Sequence, residues 1–125
     1  MNSNRKGKAG EREFAEVLRS AGWPNARRGQ QRAGVDQPDV IGGPQGVHFE
    51  VKRVQSLNLG AAMRQATRDA GAGEVPVVAH RRNGEAWLAT LPLDALLSLL
   101  RLAERAGAFQ EPDDPTDALR AFLDG

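Results

Sequence analysis

The sequence predicts a mixed α/β domain in which a central sheet of about five strands is flanked by helices. An amphipathic repeat opens the chain, with Phe14, Val17, Leu18 and Ala21 at positions i, i+3, i+4 and i+7 of a helix. Short alternating or β-branched runs follow, and they are separated by a second helical stretch. Because 125 residues suffice for one substantial core, we expect a single domain.

The composition excludes several classes of protein. Hydrophobic residues make up 40% and charged residues 26% of the chain, which is ordinary for a globular protein. No apolar run approaches the roughly 18–20 residues that cross a bilayer, so we expect no membrane partner. The absence of cysteine excludes disulfides, thiolate metal ligands and thiol nucleophiles. With a polar N-terminus that does not resemble a secretory signal, the expected setting is intracellular and cytoplasmic.

Charge is distributed unevenly along the chain. Residues 1–68 contain 12 Lys and Arg against 6 Asp and Glu, a net charge of +6, whereas residues 69–125 contain 5 against 10, a net charge of −5. A positive surface favours polyanionic partners and speeds their association. An uneven solubilising surface is the alternative.

The first helix is expected from about residue 8 to residue 21, after a flexible basic segment at residues 1–6. At about 100° per residue, Glu11 lies roughly 20° from Leu18, at the border of the apolar stripe, whereas Glu16 points away from it. Glu11 is therefore the glutamate whose side chain could reach a site between this helix and the sheet. A negative charge in the first turn of a helix also interacts favourably with the helix dipole. A purely structural role for Glu11 therefore stays open.

A polar strand or turn is expected at residues 26–31, followed by a glycine-containing loop. Arginine suits phosphate because its planar fork and charge match the oxygens. An ordinary solvated loop is the alternative. The candidate phosphate contacts here are Arg27, Arg28, Gln30, Gln31 and Arg32.

Residues 38–41 and 47–53 are each predicted to form a strand, and Gly42-Gly43-Pro44 suggests that the two pair as a hairpin. Side chains alternate between the faces of a strand. Phe49 and Val51 are therefore expected in the core, with Glu50 and Lys52 together on the other face.

This predicted hairpin brings Asp39 close to Glu50. Burying carboxylates beside a lysine is costly unless a ligand compensates. Mg²⁺ is bound by carboxylates, water and substrate phosphate, so Asp39, Glu50 and Lys52 suggest metal-assisted phosphodiester hydrolysis. His48 shares the Glu50 face, but Mg²⁺ prefers oxygen ligands, so we assign it no metal role.

The remaining elements follow from apolar periodicity. Gln65 flanks the apolar stripe of the second helix and is within reach of a neighbouring site. The expected elements are a helix at 59–70, strands at 75–80 and 86–91, a leucine-rich helix at 92–106, and a short last helix capped by Asp114 and Pro115.

Asp39, followed after ten residues by Glu50-Val51-Lys52 and preceded by Glu11 on a helix, resembles the PD-(D/E)xK nuclease superfamily. The segment Arg5-Lys6-Gly7-Lys8-Ala9-Gly10-Glu11-Arg12-Glu13 resembles the start of its archaeal and phage Holliday-junction-resolvase-like branch. The resemblance covers residues 5–91 and implies a restriction-endonuclease-like fold. Residues 92–125 match no such motif, so we expect one nuclease domain, 1–125, with a helical C-terminal extension.

The resemblance also implies a mechanism. Asp39, Glu50, the Val51 carbonyl and Glu11 would bind Mg²⁺, with Mn²⁺ able to substitute, and Lys52 would orient the attacking water. Glu11, Asp39, Glu50 and Lys52 would be the catalytic residues. The predicted DNA contacts are Arg5, Lys6, Lys8, Arg27, Arg28, Gln30, Gln31, Arg32, Arg53 and Gln65.

The expected activity is cleavage of Holliday or other branched junctions in recombination and repair, by a homodimer that could be phage-encoded. Two related readings remain open: a nicking or restriction-type nuclease of the same fold, and a catalytically inactive DNA-binding module. The least specific alternative is a globular protein whose acids and lysine form ordinary ion pairs.

Overall fold

The computed structural model describes residues 3–29, 31–32, 35–36, 38–109, 120 and 122–124. The chain divides into two compact units, Met1–Leu91 and Pro92–Gly125. No helix in these ranges is long and apolar enough to cross a membrane. The elements in chain order are α1 (Ser3–Ser20), β1 (Arg27–Arg28), β2 (Gln31–Arg32), β3 (Val35–Asp36), β4 (Val40–Ile41), β5 (Val47–Arg53), α2 (Leu59–Asp69), β6 (Val75–Arg81), β7 (Leu88–Thr90) and, in the second unit, α3 (Leu93–Arg105).

The structure confirms the predicted mixed α/β class, with a restriction-endonuclease-like arrangement. β5 runs parallel to β6, with Glu50 opposite Val78, and β7 pairs antiparallel with β6. β1 and β4 form a separate antiparallel pair, and so do β2 and β3. A parallel pair needs a long crossover, and α2 supplies it between β5 and β6.

The predicted hairpin between residues 38–41 and 47–53 is wrong. In the described part of the chain β4 pairs with β1, with Val40 opposite Arg28, and β5 pairs with β6. Gly42 permits this arrangement, since its φ of +80° suits glycine and a Cβ at this position would clash with the Asn25 backbone. At the edge of β5, a side chain takes the place of a neighbouring strand as the hydrogen-bond partner: the Val51 N–H donates to Asp39 Oδ2 at 2.9 Å.

The first helix begins earlier than predicted. α1 begins at Ser3, so residues 3–6 are helical rather than a flexible lead-in. Arg5 and Lys6 are good helix formers, and no proline interrupts them. Asp114 and Pro115, the predicted cap of the last helix, lie outside the described residues, while residues 120 and 122–124 are helical.

Helices cover both faces of the β5–β6 pair. On one face α1 contributes Phe14, whose ring lies 5.0 Å from that of Phe49 in an edge-to-face contact. Val51 joins the same core, which confirms the predicted alternation of β5. On the other face α2 packs through small side chains, so it approaches the sheet closely. The second core contains Ala62, Ala66 and Val78.

Gly10→Ala should destabilise the protein by about 1–3 kcal/mol, the usual range for overpacking. A Cβ at Gly10 would lie 2.5 Å from Arg53 Cβ, at the base of a side chain on β5. To relieve this clash, α1 or β5 has to shift. A shift of α1 would also displace Glu11, the next residue in the helix. Chemical denaturation measures the loss. Gly7→Ala, where an added Cβ meets nothing within 4 Å, should leave stability unchanged or raise it, and an equal loss at both positions would refute close packing at Gly10.

Candidate active site

Asp39 lies immediately before β4 and is fixed from two sides. Its Oδ2 accepts the Val51 N–H at 2.9 Å, and its backbone carbonyl accepts the Gly29 N–H at 2.9 Å. The carboxylate is thereby held at the open edge of β5 before any ligand arrives. The Asp39–Glu50 proximity expected from a hairpin is achieved through this side-chain contact.

Glu50 is 5% exposed and lies among further charged groups. Lys52 Nζ is 3.6 Å from its Oε1. Burial raises the pKa of Glu50 to about 7, and the Asp39 charge adds to this, while Lys52 opposes it. Asp69 and a side-chain hydrogen bond with Asp39 raise it further. Near neutral pH the Glu50 carboxyl therefore readily holds a proton, and a bound cation would replace that proton.

Glu11 projects from α1 toward the same region. It is half-buried, as expected from its place at the border of the apolar stripe. Its Oε2 accepts a hydrogen bond from Arg28 Nε at 2.7 Å. Burial raises the pKa of Glu11, as does the charge of Asp39, while Arg28 opposes the shift. The Glu11 carboxylate therefore lies close enough to Asp39 for the two charges to interact, and its hydrogen bond with Arg28 holds it in place.

Lys52 lies between β5 and α2. Its Nζ donates to Gln65 Oε1 at 3.4 Å and faces Glu50 Oε1 at 3.6 Å. The ammonium retains hydrogen-bonding capacity beyond these two contacts, since it has three donors. Gln65 thus acts within the structure as an acceptor that helps to hold Lys52.

The predicted DNA contacts fall into distinct environments. Lys8 and Arg27 are exposed, whereas Arg28 is paired with Glu11. Arg53 is engaged by Glu13, which also binds Arg81. The structure thus places Arg53 in a network joining α1, β5 and β6. Gln30 and the side chains of Arg5, Lys6, Gln31 and Arg32 lie outside the described residues.

Two residues near Glu50 were not assigned a role from the sequence. His48 is 4% exposed, and within the described ranges neither ring nitrogen has a hydrogen-bond partner. Such a buried unpaired group costs about 1–3 kcal/mol. Asp69 ends α2, and His48, Glu50 and Asp69 bring ligand atoms within 4.8 Å of one another. Alternation placed His48 on the Glu50 face, and Asp69, four residues after Gln65, lies one turn further along α2.

Glu50→Gln should stabilise the metal-free protein at pH 8 by about 2–3 kcal/mol, because one pKa unit corresponds to about 1.4 kcal/mol. The folded-state pKa of Glu50 is raised from 4.5 to about 7, so the unfolded chain releases this proton first as the pH rises. The free energy of unfolding should fall between pH 4.5 and 7 in the wild type and fall less in the variant.

Denaturation in EDTA from pH 4 to pH 8 measures this difference. Glu16→Gln makes the same chemical change at an exposed position on α1 and should reproduce the wild-type profile. A Glu50→Gln profile parallel to that of the wild type would show that ionised Glu50 carries no penalty.

The sequence was also compared with known proteins and families. Neither curated proteins nor solved structures gave a match. The model of the archaeal Holliday junction resolvase (Hjc) family matches residues 2–94, a span that includes α1, the β5 edge and α2. The predicted PD-(D/E)xK relationship is thereby confirmed, and the chain belongs to the Hjc family of Holliday junction resolvases.

Proposed function

We propose that this protein is a metal-dependent, structure-selective endonuclease that hydrolyses phosphodiester bonds at Holliday or other branched DNA junctions. The observation that carries the proposal is the cluster at the edge of β5, where Asp39 Oδ2 accepts the Val51 N–H at 2.9 Å and Lys52 Nζ lies 3.6 Å from Glu50 Oε1. Family membership supports a resolvase-type nuclease. We assign the catalytic roles to Glu11, Asp39, Glu50 and Lys52.

The donor atoms fit a hard divalent cation. Asp39 and Glu50 supply carboxylate oxygens. Burial, followed by the charge of Asp39, raises the pKa of Glu50, and a cation would stabilise its ionised form. Glu11 and the Val51 carbonyl are the further oxygen ligands that we assign. When bound, Mg²⁺ or Mn²⁺ would act as a Lewis acid and lower the pKa of coordinated water.

The protein's own side chains would orient the reaction. Lys52, steadied by Gln65 at 3.4 Å, would donate hydrogen bonds to the attacking water or to the scissile phosphate and stabilise its developing charge. Arg28 would exchange Glu11 for a DNA phosphate, since arginine binds both groups through the same donors. Lys8 and Arg27, which are exposed, would contact the backbone of the DNA.

Symmetric cleavage of a four-way junction needs two active sites, so we propose a homodimer. The net charge of +6 on residues 1–68, the part of the sequence that contains the candidate site, supports a DNA partner. A nicking or restriction-type nuclease would use the same residues on linear or nicked DNA. An inactive DNA-binding module would have no need for Lys52 beside the neighbouring carboxylates of Asp39 and Glu50.

The test is cleavage of a labelled four-way junction and a linear duplex of the same sequence, in Mg²⁺ or EDTA. We expect paired nicks in the junction alone, dependent on Mg²⁺ and lost in Glu50→Ala. Equal cutting of both substrates would refute junction selectivity but retain the nuclease. Binding without cutting, in either Mg²⁺ or Mn²⁺, would instead favour the inactive module.

A further inference from the structure

The face of β5 that carries Glu50 holds a second group of ligands, separate from Asp39. His48 and Glu50 are two residues apart on the strand and both point toward α2, where Asp69 lies at the helix end. Their ligand atoms are all within 4.8 Å of one another. Around a tetrahedral ion with ligand distances of about 2.0–2.2 Å, neighbouring ligand atoms lie roughly 3.3–3.6 Å apart. Side-chain movements of about an ångström would therefore close the group around one ion.

His48 provides an independent indication that something binds here. The residue is 4% exposed, and among the described residues neither Nδ1 nor Nε2 has a hydrogen-bond partner. Buried imidazoles are normally satisfied by a hydrogen bond or a metal. Neither Glu50 nor Asp69 hydrogen-bonds to it.

We infer that His48, Glu50 and Asp69 form a site for a first-row transition-metal dication, such as Zn²⁺ or Mn²⁺, adjacent to the Asp39–Glu50 pair and sharing Glu50 with it. An imidazole with two carboxylates suits these ions, whereas Mg²⁺ favours an all-oxygen set. Asp69 is exposed, so an ion can enter from solvent at the end of α2. Three protein ligands leave at least one coordination position for water.

Sharing Glu50 would couple this site to the catalytic one. An ion held by His48 and Asp69 would draw the Glu50 carboxylate toward Asp69 and away from Asp39. The binding site itself does not depend on the proposed nuclease activity. Its existence is therefore tested by binding alone, and a failure here would leave the junction-cleavage proposal standing.

The experiment is titration of the full-length, metal-free protein with Co²⁺, a spectroscopic substitute for Zn²⁺, followed by visible absorption and by competition with Zn²⁺ and Mg²⁺. We expect one equivalent of Co²⁺ to give d–d bands that Zn²⁺ abolishes and that a large excess of Mg²⁺ does not. Asp69→Asn should weaken binding by at least about 10-fold, as losses in a metal's ligand environment do. This position is exposed, so the fold should survive the change.

Two further variants make the assignment specific. His48→Gln should abolish the absorption bands, and circular dichroism checks that it remains folded. Asp39→Asn removes a carboxylate on the other side of Glu50 and should retain them. Loss of the bands in Asp39→Asn with unchanged binding in Asp69→Asn would overturn the inference, because the ion would then belong to the Asp39 site. Displacement of Co²⁺ by equimolar Mg²⁺ would overturn the selectivity.

Discussion

Asp39→Asn is expected to lower the rate of junction cleavage by about 10³-fold or more, since losing several kcal/mol of transition-state stabilisation has that effect. The asparagine Oδ1 can still accept the Val51 N–H that Asp39 accepts at 2.9 Å, so the local backbone should hold. What disappears is a negative charge and an anionic oxygen ligand. Single-turnover cleavage with protein in excess of a four-way junction measures the rate without the influence of product release.

The same substitution should not weaken the fold. The charge of Asp39 raises the pKa values of both Glu11 and Glu50, so its removal relieves repulsion. The metal-free variant should therefore be at least as stable as the wild type at pH 8. Junction binding in EDTA should persist. Asp124→Asn, which makes the same change at an exposed position near the C-terminus, is the matched control and should cleave normally. If Asp39→Asn lost activity only through unfolding, its melting temperature would fall in step.

Local periodicity predicted the parts of the site that depend on one element alone. The alternation of β5 placed Glu50 and Lys52 on one face, and the helical wheel selected Glu11 over Glu16. The positions of these side chains agree with the structure, because a strand and a helix each fix side-chain direction over a few residues; their catalytic roles stay predictions. They required no knowledge of which elements are neighbours in space.

Pairing between elements was harder to predict. Glycines at 42, 43 and 46 suggest a turn, and a turn suggests a hairpin, yet β4 pairs with β1 through Arg28 and Val40. The loop after α1 brings β1 close to β4. The residues next to β4 in the sequence do not reveal this contact. Asp69 was missed for a related reason. Its approach to Glu50 depends on how α2 crosses the sheet, which is set by the small residues Ala62 and Ala66 and by the Val78 beneath them.

Lys52→Met is the second substitution with a large expected effect, a loss of about 10²–10³-fold in the cleavage rate, comparable to removing one donor that stabilises a developing oxyanion. Methionine keeps an unbranched stem of similar length, so packing against α2 should change little. It lacks the ammonium that lies 3.6 Å from Glu50 Oε1. Since Lys52 lowers the pKa of Glu50, the variant should also lose more stability between pH 5 and pH 8 than the wild type does.

Lys8→Met separates a catalytic role for Lys52 from a general loss of positive charge. Lys8 is exposed on α1, and its replacement removes the same unit charge from a predicted DNA contact. It should weaken junction binding, and the salt dependence of binding should decrease with the lost phosphate contact. At saturating protein, however, it should cleave at the wild-type rate, whereas Lys52→Met should stay slow when fully bound. If saturation rescued both variants alike, Lys52 would contribute only to DNA affinity, and its place beside Glu50 would have no part in the chemical step.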